Sequence, residues 1–152
     1  MVITSNINSD LLSKLHLDVL PKETRDAFLE CVKIAFLSTG WYLAGGTALA
    51  LQVGHRQSLD LDFFIAQKSF DEKKIEEMLS AEGKWKTTSI DKGTIYGEFH
   101  GAKMSLIAYP FFRPADSLFK VNSVSIMTPA DIGPMKITAI SQRGKKRDFI
   151  DI

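Results

Sequence analysis

Trp41-Tyr42-Leu43-Ala44-Gly45-Gly46-Thr47-Ala48-Leu49-Ala50-Leu51-Gln52-Val53-Gly54 and, after a short link, Leu59-Asp60-Leu61-Asp62-Phe63-Phe64-Ile65 decide the reading of this chain. Residues 41–44 are short, aromatic and apolar, which predicts a strand, and Gly45-Gly46 predicts a turn at its end. Thr47 then stands where an N-cap or first-turn residue would, ahead of good helix formers that run to Gly54. Residues 59–65 alternate Leu59, Leu61 and Phe63 against Asp60, Asp62 and Phe64, the period of a strand with one apolar face and one carrying two carboxylates.

Outward from this centre, the spacing of Ala27, Cys31, Ile34 and Ala35 predicts a buried-face helix over residues 21–38. Downstream, Ser69 or Asp71 caps a helix through Leu79 that Gly83 ends. Residues 84–90, 94–100 and 102–109 predict an antiparallel meander, and residues 121–127 one more strand. Thr128-Pro129 opens a last helix to about Arg143, with Gly133-Pro134 disturbing its first turns. The order predicts a single α+β (mixed α/β) domain over residues 1–152, with a mixed sheet flanked by helices. Phe149, Ile150 and Ile152 read as the opening of a further helix that needs cover. Either the chain is truncated there, or a partner or second copy in a homo-oligomer completes it.

With 45% hydrophobic and 24% charged residues, the 152-residue chain has the material for a real core. Its 19 basic and 18 acidic residues give no global basic field, so any nucleic-acid contact needs a local patch. Arg143-Gly144-Lys145-Lys146-Arg147 is such a run, read first as a solvated face and second as a grip on RNA. Cys31 is alone, which excludes an internal disulfide or cysteine zinc site, suits a reducing compartment and reads as core. His16, His55 and His100 lack zinc spacing. No secretory signal and no membrane-length apolar run are visible, so a soluble, cytoplasmic protein is expected.

A strand that turns on glycines into a helix mouth presents free N–H groups and the positive end of a helix dipole, which suits phosphate. Two carboxylates two residues apart on a strand are costly unless a cation meets them, which suits Mg2+. Each signal alone is weak. A Gly-Gly turn is usually just a turn, and Asp-x-Asp also occurs in glycosyltransferases that bind sugar nucleotides. Together they are specific, because the link from Gly46 to Asp60 has room for one short helix and a loop that return the chain to a shared cleft. Arg56 sits where it can reach a phosphate or pair with Asp60 or Asp62.

Leu43-Ala44-Gly45-Gly46-Thr47-Ala48-Leu49-Ala50-Leu51-Gln52, Gly54-His55-Arg56 and Ser58-x-Asp60-x-Asp62-Phe63-Phe64 resemble the signature of the AbiEii/AbiGii toxin group. That group belongs to the DNA polymerase beta-like nucleotidyltransferase superfamily. Asp131, Met135-Lys136, Ala139-Ile140, Arg143 and Arg147-Asp148-Phe149-Ile150-Asp151 resemble the group's later helix and final motif. The resemblance spans roughly residues 40–152. It implies a nucleotidyltransferase fold in which Gly45, Gly46 and Thr47 hold a nucleoside triphosphate, Asp60 and Asp62 hold Mg2+ or Mn2+, Lys136 meets the phosphates and Asp148 adds a further site residue. It implies transfer of a nucleoside monophosphate to an acceptor such as RNA, tRNA or a protein, in a toxin with a cognate antitoxin. Active superfamily members add a third carboxylate on a later strand. Here Ser105 occupies that place, with Glu98 or Asp148 as the available substitutes. A catalytically weak or inactive nucleotide-binding module with the same fold is the alternative.

Overall fold

Alternation makes Leu61–Ile65 a strand with one buried face, where Leu61, Phe63 and Ile65 are buried while Asp62 and Phe64 are partly open. In the computed structural model, which describes residues 9–114 and 118–143, this strand is β2. Before it come α1 (Ser9–Leu12), α2 (Lys22–Cys31), β1 (Trp41–Ala44) and α3 (Gly45–Val53). After it come α4 (Glu72–Glu82), β3 (Trp85–Asp91), β4 (Thr94–Phe99), β5 (Ala102–Ala108), β6 (Phe119–Val121), β7 (Val124–Ile126) and α5 (Pro129–Arg143).

Among the described residues the strands form one seven-stranded sheet in the order β3-β4-β5-β2-β1-β7-β6. At its centre β2 runs antiparallel to β1 and parallel to β5. The β3-β4-β5 meander is antiparallel as expected. A mixed sheet flanked by helices is therefore the observed architecture.

One face of that sheet is closed by α2 and α4. Ala27, Phe28 and Cys31 of α2 are buried, and the Cys31 thiol lies 3.8 Å from the Met104 sulfur on β5. Burial pushes that thiol well above its usual range, so Cys31 is a core residue. On α4, Glu76 accepts a 2.6 Å hydrogen bond from the Thr87 hydroxyl, which in turn accepts from the Trp85 indole at 2.9 Å. Asp71 caps α4 by accepting from the Lys74 amide. Burying each large side chain of this layer contributes about 1.5–3 kcal/mol. The opposite face of β5 and β4 stays open.

Three local expectations are corrected. The helix expected over residues 21–38 ends at Cys31, because the Val32 carbonyl accepts from the Ser123 amide and Ile34, in extended backbone, enters the core before a 3-10 turn at Ala35–Ser38. The single strand expected over residues 121–127 is the β6–β7 hairpin, turning on Asn122 at φ 50°. Asn tolerates that left-handed conformation. Leu59 is 62% exposed and precedes β2 rather than lining its apolar face. The Thr24 hydroxyl takes the Leu59 carbonyl and the Thr47 hydroxyl takes that of Asp60, so the backbone joins the ladder only from Leu61. Among the described residues no helix is long and apolar enough to cross a membrane.

Candidate functional site

Extended backbone at Ala44 gives way to Gly45 at φ +73°, a conformation that disfavours any side chain, and α3 begins there. Thr47 therefore sits inside the first turn rather than at the cap. The N-cap residue of α3, Ala44, offers no side-chain cap. The first N–H groups of a helix have no partner within it, so here they and the positive end of the dipole face the end of β1.

The acidic strand meets this mouth. Ala44 is the register partner of Asp62, and a Cβ built on Gly45 would lie 3.5 Å from Asp62 Oδ2. A Cβ on Gly46 would collide with Arg56 Nη2 and stand 3.1 Å from its Cζ, so the guanidinium lies over the second glycine. Arg56 Nη1 also donates to the Gln57 carbonyl at 3.4 Å. The glycine turn, a fixed positive charge and Asp62 thus share one place.

Thr47, which the resemblance makes a triphosphate-binding residue, turns its hydroxyl to the segment ahead of β2. Buried, it donates to the Asp60 carbonyl and lies 2.5 Å from the Ser58 hydroxyl. What the contact does is pin the segment carrying Asp60 to the first turn of α3. Asp60 itself lies just ahead of β2, its side chain exposed.

Across the other edge of β2, Ser105 is the register partner of Asp62 and donates to its Oδ1 at 2.6 Å. Glu98 is one strand further out, opposite Lys103 on β5. With strands about 4.8 Å apart, that puts the Glu98 backbone roughly 10 Å or more from that of Asp62. Among the described residues no three acidic, histidine or cysteine side chains gather closely enough to hold a metal, so Glu98 does not supply the missing third ligand. Asp148, the other substitute, and residues 144–147 lie outside the described residues. So does the side chain of Lys136, whose backbone is part of α5.

Asp60, Asp62, Tyr96, Glu98, Lys103 and Ser105 line a cleft of about 410 Å³. Its donor set fits a hard divalent cation: Asp62 turns Oδ1 to Ser105 and Oδ2 to the helix mouth, Asp60 adds a second carboxylate, and all are oxygen ligands. Sequence reading did not single out Lys103 or Tyr96. Their signal lies in the pairing register, which places Tyr96 beside Ser105 and Lys103 beside Glu98 on the open face.

A seven-stranded mixed sheet flanked by helices, with a glycine turn opening a helix against a carboxylate strand, is a nucleotidyltransferase-like α+β fold. Residues 27–96 match the family described as nucleotidyl transferase AbiEii toxin, type IV TA system. That span, which contains the glycine turn, Arg56 and both aspartates, is similar to the AbiEii family. It is also 35% identical over 136 residues to an uncharacterized protein of Aquifex aeolicus (strain VF5). That alignment covers 88% of this chain, which spans 65% of the relative's length.

Proposed function

We propose that the chain transfers a nucleoside monophosphate from a nucleoside triphosphate to an acceptor, acting in the cytoplasm as the toxin of a toxin–antitoxin pair. The observation that carries this reading is the approach of the Gly45 turn to Asp62, within 3.5 Å of where a side chain on that glycine would stand. The open amides of Gly45 and Gly46 bind the outer phosphates, and Arg56 adds charge to the pyrophosphate that leaves. Asp60 and Asp62 hold Mg2+ or Mn2+, which when bound neutralises charge growing on the transferred phosphate. Ser105 orients the Asp62 carboxylate through its hydrogen bond, and Thr47 fixes the height of Asp60 against the turn. Lys136 of α5 and Asp148 complete the cationic and acidic complement that the family implies, with RNA, tRNA included, as the acceptor and a protein hydroxyl as the alternative.

A second reading has its own observation. Ser105 stands beside Asp62 where active relatives of the wider superfamily carry an acid, which favours a module that binds nucleotide with little turnover. Incubation with α-phosphate-labelled nucleoside triphosphates, Mg2+ and total RNA separates the two. Transfer of label, lost by roughly 10²–10³-fold in Asp60→Ala and Asp62→Ala, supports the enzyme. Nucleotide binding with no transfer supports the module. Transfer that persists unchanged in both variants rejects the site.

A further inference from the structure

Transfer at a phosphorus atom proceeds in line, with the attacking and leaving oxygens on opposite sides. If the leaving pyrophosphate lies at the Gly45-Gly46 turn, on the β1 side of Asp62, the acceptor enters from the β5 side. The surface there is unusual for a strand face. Tyr96 on β4 is 44% exposed and lies directly across from Ser105. Lys103 is its diagonal neighbour, close enough for a ring and an ammonium to serve one ligand. Among the described residues neither Lys103 nor Glu98 is held in an ion pair.

On β3 the pairing shifts between Thr87 and Ser89, with Thr87 opposite Gly97 and Ser89 opposite Tyr96. Thr88 is the extra residue of this bulge. Before it, odd-numbered positions of β3 face α4, as Trp85 and Thr87 do; after it, Ser89 faces the cleft. A bulge re-aims side chains in this way. Thr88 and Ser89 consequently both line the cleft beside Tyr96, adding two hydroxyls to a ring and a cation.

We propose that this open face of β3–β5 is the acceptor subsite, in which Tyr96 stacks on a base of a single-stranded RNA end and Lys103 takes the adjoining phosphate. This rests on the nucleotidyl-transfer reading. A flat exposed ring suits any base, because every base has a π face, and one lysine with two hydroxyls suits a backbone phosphate. Glu98 opposes the phosphate and limits affinity. Tyr96 and Lys103 are positioning residues for the acceptor and leave the triphosphate untouched.

The test is fluorescence anisotropy of a labelled short single-stranded RNA on the full chain, with Mg2+ and a non-hydrolysable nucleoside triphosphate analogue, alongside calorimetry of the analogue alone. Tyr96→Ala is expected to weaken RNA binding by about tenfold and Tyr96→Phe to leave it unchanged. Lys103→Gln weakens it and flattens its salt dependence by about one phosphate contact, while Glu98→Gln tightens it. Analogue affinity stays as in the wild type throughout. RNA binding that ignores Tyr96 and Lys103 overturns the proposal, as does wild-type protein that binds the analogue but no RNA, which would point to a protein acceptor. Failure of the wild type to bind the analogue removes the nucleotidyl-transfer reading itself.

Discussion

On the β1 flank of Asp62, a side chain on Gly45 would stand in van der Waals contact with the carboxylate, Gly46 lies under the Arg56 guanidinium, and the Thr47 hydroxyl holds the Asp60 carbonyl. On the β5 flank the Ser105 hydroxyl donates to the carboxylate, and Tyr96 and Lys103 stand in an open cleft beyond it. The first flank is built from backbone and from residues chosen for what they lack. The second is built from side chains on a regular strand face, where almost any residue would fit. A turn proposed to hold phosphate tolerates few sequences, whereas a face proposed to take the acceptor can vary while the sheet beneath it stays the same.

The contrast breaks most sharply at Ser105. If the β5 flank lacks only an acid, Ser105→Asp raises label transfer on the order of 10²-fold, measured under single-turnover conditions. A rate that stays flat, in protein that still binds nucleotide, would mean the flank is not poised for catalysis. A smaller effect is expected at Gly46. The methyl of Gly46→Ala displaces the guanidinium above it, so nucleotide affinity falls about tenfold by calorimetry while the melting temperature holds, since the far end of Arg56 can move. Unchanged affinity would detach the turn from the ligand.

The smallest of these effects is at Thr47. Thr47→Val keeps the shape but leaves the Asp60 carbonyl and the buried Ser58 hydroxyl short of a partner, costing about 1–2 kcal/mol. A chain of this size then melts roughly 2–8 °C lower by calorimetric scan. A melting temperature equal to the wild type would show that the contact does not tie the two segments together.

How much was legible follows the same divide. The glycine turn, the alternation of Leu61 to Ile65, the Asp71 cap and the Pro129 helix start all rest on local rules, and each is visible in the chain itself. The break after Cys31 was not, because Val32, Ile34 and Phe36 satisfy a continued helix as well as they satisfy the core they enter. Asn122-Ser123 lies within an apolar run that reads as one strand, and the turn shows only in the pairing of β6 with β7, with the Ser123 amide meeting Val32. Leu59 was misplaced for a non-local reason: its carbonyl is claimed by Thr24, 35 positions earlier. Lys103 and Tyr96 became visible only through register, since a strand's own sequence does not say which neighbour it meets.

The most direct test is calorimetric titration of a non-hydrolysable nucleoside triphosphate analogue into wild type and Asp62→Asn, each with Mg2+ and with a chelator. The isosteric variant keeps the packing and a Ser105 partner but removes the charge. Wild-type binding should tighten at least tenfold with Mg2+, and Asp62→Asn should lose that increment while keeping the weaker metal-free binding to the glycine turn. Equal Mg2+ dependence in both proteins would show that the carboxylate and the helix mouth do not act on one ligand, and the account would be wrong at its centre.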